Sequence, residues 1–231
     1  MMQVDFREAT SIINFIKEEG KIETYDHHQF IYQAEDPSDT IYLIQEGNVL
    51  INRVLEDGKE FSLKMLGPRS IFGTTTLFCG AKKHSLFART KTKTTVYKMP
   101  VVQFENAILN DEVLKYEWLL FIQNENAKQE YRFRDLFTLG KKGALYSTLI
   151  RLSNTYGTYT DEGMLLNVDL TNNELANFCS TTRESVNRMI SELKSKNVIK
   201  TEGKRITILD MQYLKDEINC ENCPINICRI E

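Results

Sequence analysis

A chain of 231 residues, 42% hydrophobic and 26% charged, has the length of two modest domains and the balance of an ordinary folded protein. Eleven glycines and four prolines are too few for a collagen or a low-complexity linker, and no apolar run is long enough to span a bilayer. A net charge of −3 argues against bulk electrostatic binding to nucleic acid or membrane and leaves room only for a local basic face.

The start, MMQVDFREATSIINF, lacks a basic segment followed by a sustained apolar stretch, so a cytoplasmic location without membrane attachment is expected. Residues 21–100 read as short strands. Polar residues alternate with β-branched or aromatic ones through IYLIQEGNVLINRVLEDGKEFSLKML, broken at Gly47 and at Asp57-Gly58. Asp-Gly between two alternating runs predicts a hairpin, because its turn needs positive φ. Gly67-Pro68 and Gly80 mark further turns, and LFARTKTKTTVYKMP reads as one final strand. A small barrel or sandwich is the expected outcome.

Residues 101–139 contain no Gly or Pro and predict a long helix, with Asn110-Asp111 as a break and N-cap and Gly140 as its end. Val113, Tyr116, Leu120, Ala127 and Tyr131 fall near one face, a ragged candidate for a dimer seam. Apolar residues at helical spacing predict another helix over 142–156, and LLNVDL reads as a strand.

Thr171 with Glu174 forms a capping box for a short helix, and Cys179-Ser180 turns into a second helix starting near Thr181 or Thr182. VIKTEGKRITIL then folds back at Glu202-Gly203 as a wing. This is a winged helix-turn-helix. Thr182, Arg183, Glu184, Asn187 and Arg188 lie at the start or on the outer face of the second helix, where Arg suits guanine and Glu suits cytosine. Across residues 181–205, seven basic residues stand against three acidic ones in a chain that is acidic overall. Double-stranded DNA is the expected partner.

Of five cysteines, three crowd the C-terminus as C-x2-C-x4-C: Cys220, Cys223 and Cys228. An odd number in this setting is not a disulfide framework. The spacing suits an iron–sulfur cluster, a zinc ion or redox-active thiols, and His27, His28 and His84 all lie in the strand region, far along the chain from it. Cys79 and Cys179 read as small core residues. No phosphate loop, Ser-His-Asp set or paired-carboxylate signature suggests an enzyme.

The order of strand domain, long helix and winged helix-turn-helix resembles the Crp/Fnr family of bacterial transcription regulators over essentially the whole chain. YLIQEGNVLI and FGTTTLF are similar to its β-roll, and TTRESVNRM to its recognition helix. The resemblance implies an α+β fold with an N-terminal β-roll of the cyclic-nucleotide-binding type (1–104), a dimerisation helix (105–139), a C-terminal winged helix-turn-helix (140–214) and a cysteine tail (215–231). GKKGALYSTLIRLSN and the tail resemble the Bacillus-type Fnr branch, whose [4Fe-4S] cluster sits at the C-terminus; enterobacterial Fnr uses N-terminal cysteines, and none precedes Cys79 here. The ligands implied are Cys220, Cys223, Cys228 and Asp135, the last of which, read alone, is an exposed helical carboxylate. Arg183-Glu184 and Arg188 imply a TGTGA-like half-site in an inverted repeat, read by a homodimer that engages RNA polymerase.

The family's cyclic-nucleotide binders use a Glu after the β-roll glycine and an Arg-Ser pair for the phosphate. Here Gly73 is followed by Thr74, and the pair is His84-Ser85, so no cyclic nucleotide is expected. His84 then reads as an ordinary surface or turn residue. The expected mechanism is oxygen-responsive: an intact cluster joins Asp135 to the tail and fixes two recognition helices about 34 Å apart, and oxygen releases the clamp. The alternative is a regulator with tail zinc or a thiol-redox switch.

Overall fold

The computed structural model describes residues 9–74, 77, 78, 80 and 82–231, arranged as two compact units that divide after Asn124. Cys79, expected as a core residue, lies outside the described residues, as do Thr75 and Thr76 of FGTTTLF.

The first unit opens with a helix that the strand-dominated reading of this region did not include, α1 (Thr10–Glu19). Ile12, Ile13 and Ile16 fall on one face and are buried. Its N-terminus is capped from a distance: Glu117 accepts from Ser11 N at 2.9 Å, Ser11 Oγ at 2.7 Å and Ile12 N at 3.1 Å. A carboxylate there satisfies orphan amides and complements the positive helix end.

Two antiparallel sheets follow. One has the order β1 (Lys21–Tyr25), β8 (Thr94–Pro100), β3 (Thr40–Glu46), β6 (Ile71–Phe72); the other runs β2 (Phe30–Tyr32), β7 (Phe87–Thr90), β4 (Val49–Val54), β5 (Glu60–Leu66). Asp57-Gly58 makes the β4–β5 turn as expected, with Gly58 at φ 80°. The expected single last strand is two strands, β7 and β8. Thr90-Lys91-Thr92-Lys93 continues the alternation without Gly or Pro, which hid the turn. Lys91 N donates to Asn48 O and Thr94 Oγ1 to Thr92 O, and these close it.

Tyr25, Tyr32, Tyr42, Ile44, Val49, Ile51, Phe72 and Val96 form one apolar cluster in this unit. His84 belongs beside it, which corrects the surface reading. Its side chain is 2% exposed and its ring stacks on Tyr32 with centroids 3.7 Å apart. Backbone pairing with Asp36 and Glu35 pins this residue, so the ring turns inward while Lys82, Lys83 and Ser85 stay exposed. Flanking polarity concealed the burial.

A second cluster packs α1, α2 (Val101–Asn110) and the start of α3 (Glu112–Thr138) against Ile41, Leu43 and Met99. The break between these helices is at Asp111, whose Oδ1 accepts from Val113 N and Leu114 N. The outward apolar face of α3 in this unit is Val113, Tyr116, Leu119 and Ile122, whereas Leu120 is half-buried.

The second unit centres on α4 (Gly140–Tyr156), buried continuously from Gly143 to Ser153 because α5 (Asn172–Phe178), α7 (Met211–Glu217), β9 (Gly157–Thr160) and β10 (Gly163–Leu166) all pack on it. Its sheet has the order β11 (Ile199–Glu202), β12 (Arg205–Ile208), β10 (Gly163–Leu166), β9 (Gly157–Thr160). LLNVDL is strand only as far as Leu166. Val168 and Leu170 continue the buried alternation, but the ladder has ended, and of this stretch Leu170 N reaches Lys204 O. α5 (Asn172–Phe178) carries the capping box on Thr171 and Glu174, and α6 (Arg183–Ser195) is capped by Thr182. α7 (Met211–Glu217), capped by Asp210, leads into the tail.

Candidate functional site

The first candidate surface is α6 and the hairpin after it. Val186, Met189, Ile190 and Leu193 bury one side of α6, which leaves Thr182, Arg183, Glu184, Asn187 and Arg188 exposed together. Asn187 Oδ1 accepts from Asn172 Nδ2 at 2.5 Å, tying this face to the start of α5. Beside it lies a groove of about 390 Å³ whose walls include Asn187, Lys194, Lys204 and Arg205.

The regional excess of positive charge is unevenly available. Lys196 pairs with Glu192, Lys200 with Glu162 and Glu202, and Arg205 with Asp169. Among the described residues, Arg183, Arg188, Lys194 and Lys204 make no ion pair. The cations free to meet phosphate therefore lie on the exposed helix face and the groove, where the sequence put them.

The second candidate site lies where the end of α3 meets α4. Asp135, on the last turn of α3, is 5% exposed, which corrects its reading as an exposed carboxylate. Oδ2 accepts from Ser147 Oγ at 2.5 Å and from Arg151 Nη2 at 2.7 Å; Oδ1 accepts from Arg134 Nη2 at 2.8 Å. Burial alone would raise its pKa, but the donors from Ser147, Arg151 and Arg134 outweigh it and hold the carboxyl below its ordinary value. It is a carboxylate built in, not solvated.

The α3–α4 corner makes this arrangement. Gly140 has φ 63°, and a Cβ on Gly143 would lie 2.4 Å from Leu139 Cβ, so both glycines of GKKGAL are required for the tight reversal. The reversal brings Ser147 and Arg151, one turn apart on α4, against Asp135. The tail docks on the same helix. Arg151 Nη1 donates to Ile227 O at 3.4 Å, Asn154 Nδ2 to Cys228 O at 2.8 Å, and Ile230 N to Thr155 Oγ1 at 3.1 Å. Arg134 also pairs with Glu221, 87 residues further along the chain.

Between these contacts is a cavity of about 240 Å³, and Asp135, Cys220, Cys223 and Cys228 all line it. Cys228 is buried, which raises its thiol pKa; Arg151 opposes that rise, and Cys223 and Cys220 nearby add to it. Among the described residues, no three His, Cys, Asp or Glu side chains converge closely enough for one metal ion. Cys179 is buried as expected, its pKa pushed up to about 11 by burial, and stands apart from this set with Thr148 as neighbour.

Ser147, Arg151, Arg134 and Asn154 were not singled out from the sequence. For the three on α4 the signal was present: polar side chains at four- and three-residue spacing among the apolar residues of that helix require buried partners.

A β-sheet unit joined to a capped helix-turn-helix with a wing and an exposed cationic reading face defines a DNA-binding transcription regulator. Known proteins agree. The pattern describing the Crp-like helix-turn-helix domain matches residues 143–217, and that of the cyclic nucleotide-binding domain matches residues 22–111. The anaerobic regulatory protein of Bacillus subtilis (strain 168) is 38% identical over 89% of this chain and 87% of its own. A global nitrogen regulator of Nostoc sp. is 26% identical over 81% of this chain and 84% of its own. Among solved structures, the c-di-GMP responsive regulator CLP of Xanthomonas campestris superposes with a TM-score of 0.74 at 18% identity, covering 86% of this chain and 98% of its own. A CRP/FNR-family regulator of Thermus thermophilus does so at 0.70 and 25% identity, over 86% and 98%. The chain belongs to the Crp/Fnr family of transcription regulators.

Proposed function

We propose that this chain is an oxygen-responsive regulator of anaerobic metabolism, cytoplasmic and homodimeric, whose Asp135, Cys220, Cys223 and Cys228 hold a [4Fe-4S] cluster and whose α6 reads a TGTGA-like inverted repeat. The observation that carries it is the meeting of four donors around one cavity although about 85 residues separate Asp135 from the first cysteine. Three thiols and a carboxylate suit iron of a cluster, which takes each ligand at a different iron atom. One zinc would instead need the donors to converge on a single point. The likeness to the anaerobic regulatory protein of Bacillus subtilis supports the same reading.

When bound, the cluster supplies a centre that oxygen can attack. The chain's own residues do the rest. Asn154, Thr155 and Arg151 keep the end of the tail on α4 through backbone groups, whether or not the thiols are ligated. The loop of Cys220 and Cys223 is thus the part whose position ligation would govern. α6 is in the same unit, so ordering that loop can bias how the reading face is presented. Val113, Tyr116, Leu119 and Ile122 form the apolar face proposed to meet a second copy, placing one reading helix on each half-site. The β-roll, with His84 stacked on Tyr32 where relatives place a phosphate-binding arginine, is proposed to work without cyclic nucleotide. RNA polymerase is the proposed further partner.

The test is iron, sulfide and zinc analysis of anaerobically purified protein, with visible spectra before and after air. Roughly four irons and four sulfides per chain, with colour that air bleaches, is the expected result. About one zinc and no air-sensitive colour would replace this reading with a zinc-stabilised regulator.

A further inference from the structure

The cluster reading makes Asp135 an iron ligand, yet both its oxygens are already engaged. Oδ2 is held by Ser147 and Arg151, and Oδ1 by Arg134 through Nη2 at 2.8 Å and Nε at 3.2 Å. A ligand role requires one of these partners to leave.

The three donors are not equally free to do so. The Arg151 side chain is 3% exposed, and it also reaches Ser147 Oγ at 3.3 Å and Ile227 O at 3.4 Å. Withdrawing its carboxylate would strand a buried cation, a strongly unfavourable change. The Arg134 side chain is 35% exposed and already has an alternative anion, Glu221, in the loop between Cys220 and Cys223. A guanidinium so placed can give up one carboxylate while keeping water and another.

Resting on the cluster reading, we propose that Asp135 exchanges Arg134 for iron at Oδ1 while Ser147 and Arg151 retain Oδ2. Arg134 is then a competing latch: it recaptures the carboxylate as iron leaves and so favours the cluster-free state. Arg151 is a positioning residue, which fixes the second oxygen and the tail together. The two arginines beside one aspartate have opposite effects on cluster retention.

Arg134→Met, Arg151→Met, Arg151→Lys and Ser147→Ala chains, reconstituted anaerobically with ferrous iron and sulfide, test this. Iron and sulfide content, loss of visible absorbance in air, and thermal unfolding with and without the cluster are the readouts. Arg134→Met should take up iron as wild type does, lose its absorbance several-fold more slowly, and melt lower only in the cluster-free form. Arg151→Met should bind iron about tenfold more weakly, as is usual when a group supporting a ligand is removed. Arg151→Lys should recover part of that loss, and Ser147→Ala, the milder change, should weaken binding in the same direction if Arg151→Met does not fold. Loss of iron from Arg134→Met to the extent seen in Arg151→Met, or a wild-type decay rate in it, would overturn the exchange. Failure of the wild-type chain itself to take up iron would overturn the cluster reading and the exchange with it.

Discussion

Arg188 and Lys204 are both cationic and exposed, but they sit on different parts of the reading surface, one on α6 and one beside the groove at the wing turn. If Arg188 meets a base edge, Arg188→Ala should cost about 1–3 kcal/mol and relax preference at one base pair. Lys204→Ala should instead weaken binding to all sequences alike and reduce the salt slope by about 1. Fluorescence anisotropy with a specific and a scrambled duplex, over a range of salt, separates the two. Identical effects of both changes on specificity would remove the distinction. His84 offers a second residue-level prediction. Burial holds its pKa below the ordinary 6.5, with Asp36 and Asp39 opposing. The unfolded chain therefore takes up a proton below about 6.5 where the folded one does not, so stability is present above that pH and falls as pH drops through it. Urea unfolding at pH 7.5 and 5.5 should show a loss that His84→Phe, which keeps the stacking, diminishes.

At the scale of elements, α5 and α6 were fully legible, because capping and amphipathic spacing are local facts. Thr171, Glu174 and Thr182 state where each helix begins, and Val186, Met189, Ile190 and Leu193 state which side is buried. What escaped were features decided by residues far along the chain. Glu117 caps α1 from α3, the turn after β7 is closed by Asn48, and His84 is buried by Tyr32. Sequence neighbours cannot announce such partners. Of the candidate cluster ligands, the three cysteines were legible from their spacing as thiols for a cluster, a zinc ion or redox chemistry, but Asp135 only through family likeness, since nothing local distinguishes it from any other carboxylate on α3. The outward face of α3 shows the same limit: the spacing suggested Leu120, but Leu119 and Ile122 are the exposed members. Leu119→Glu with Ile122→Glu should shift the protein from dimer to monomer in sedimentation velocity at micromolar concentration. A dimer of unchanged strength would place the seam elsewhere.

For the molecule as a whole, the division of labour within the second unit matters most. The last residues of the tail are held on α4 by four hydrogen bonds that involve backbone groups, and none of them is made by a thiol. Cys223→Ala should therefore leave a folded dimer with unchanged circular dichroism while abolishing the preference for the specific site over a scrambled duplex. Retention of wild-type preference would show that ligation and DNA reading are uncoupled. The same arrangement ties the inheritance of α4 to that of the tail. Arg151 answers at once to Asp135, Ser147 and a carbonyl of the tail, so a descendant that discarded the last dozen residues would uncover this cation and leave one of its N–H groups without its acceptor. Loss of the tail should thus be accompanied, in any lineage where it occurred, by replacement of this arginine. Grafting the tail onto a relative should likewise fail unless the arginine and the aspartate travel with it.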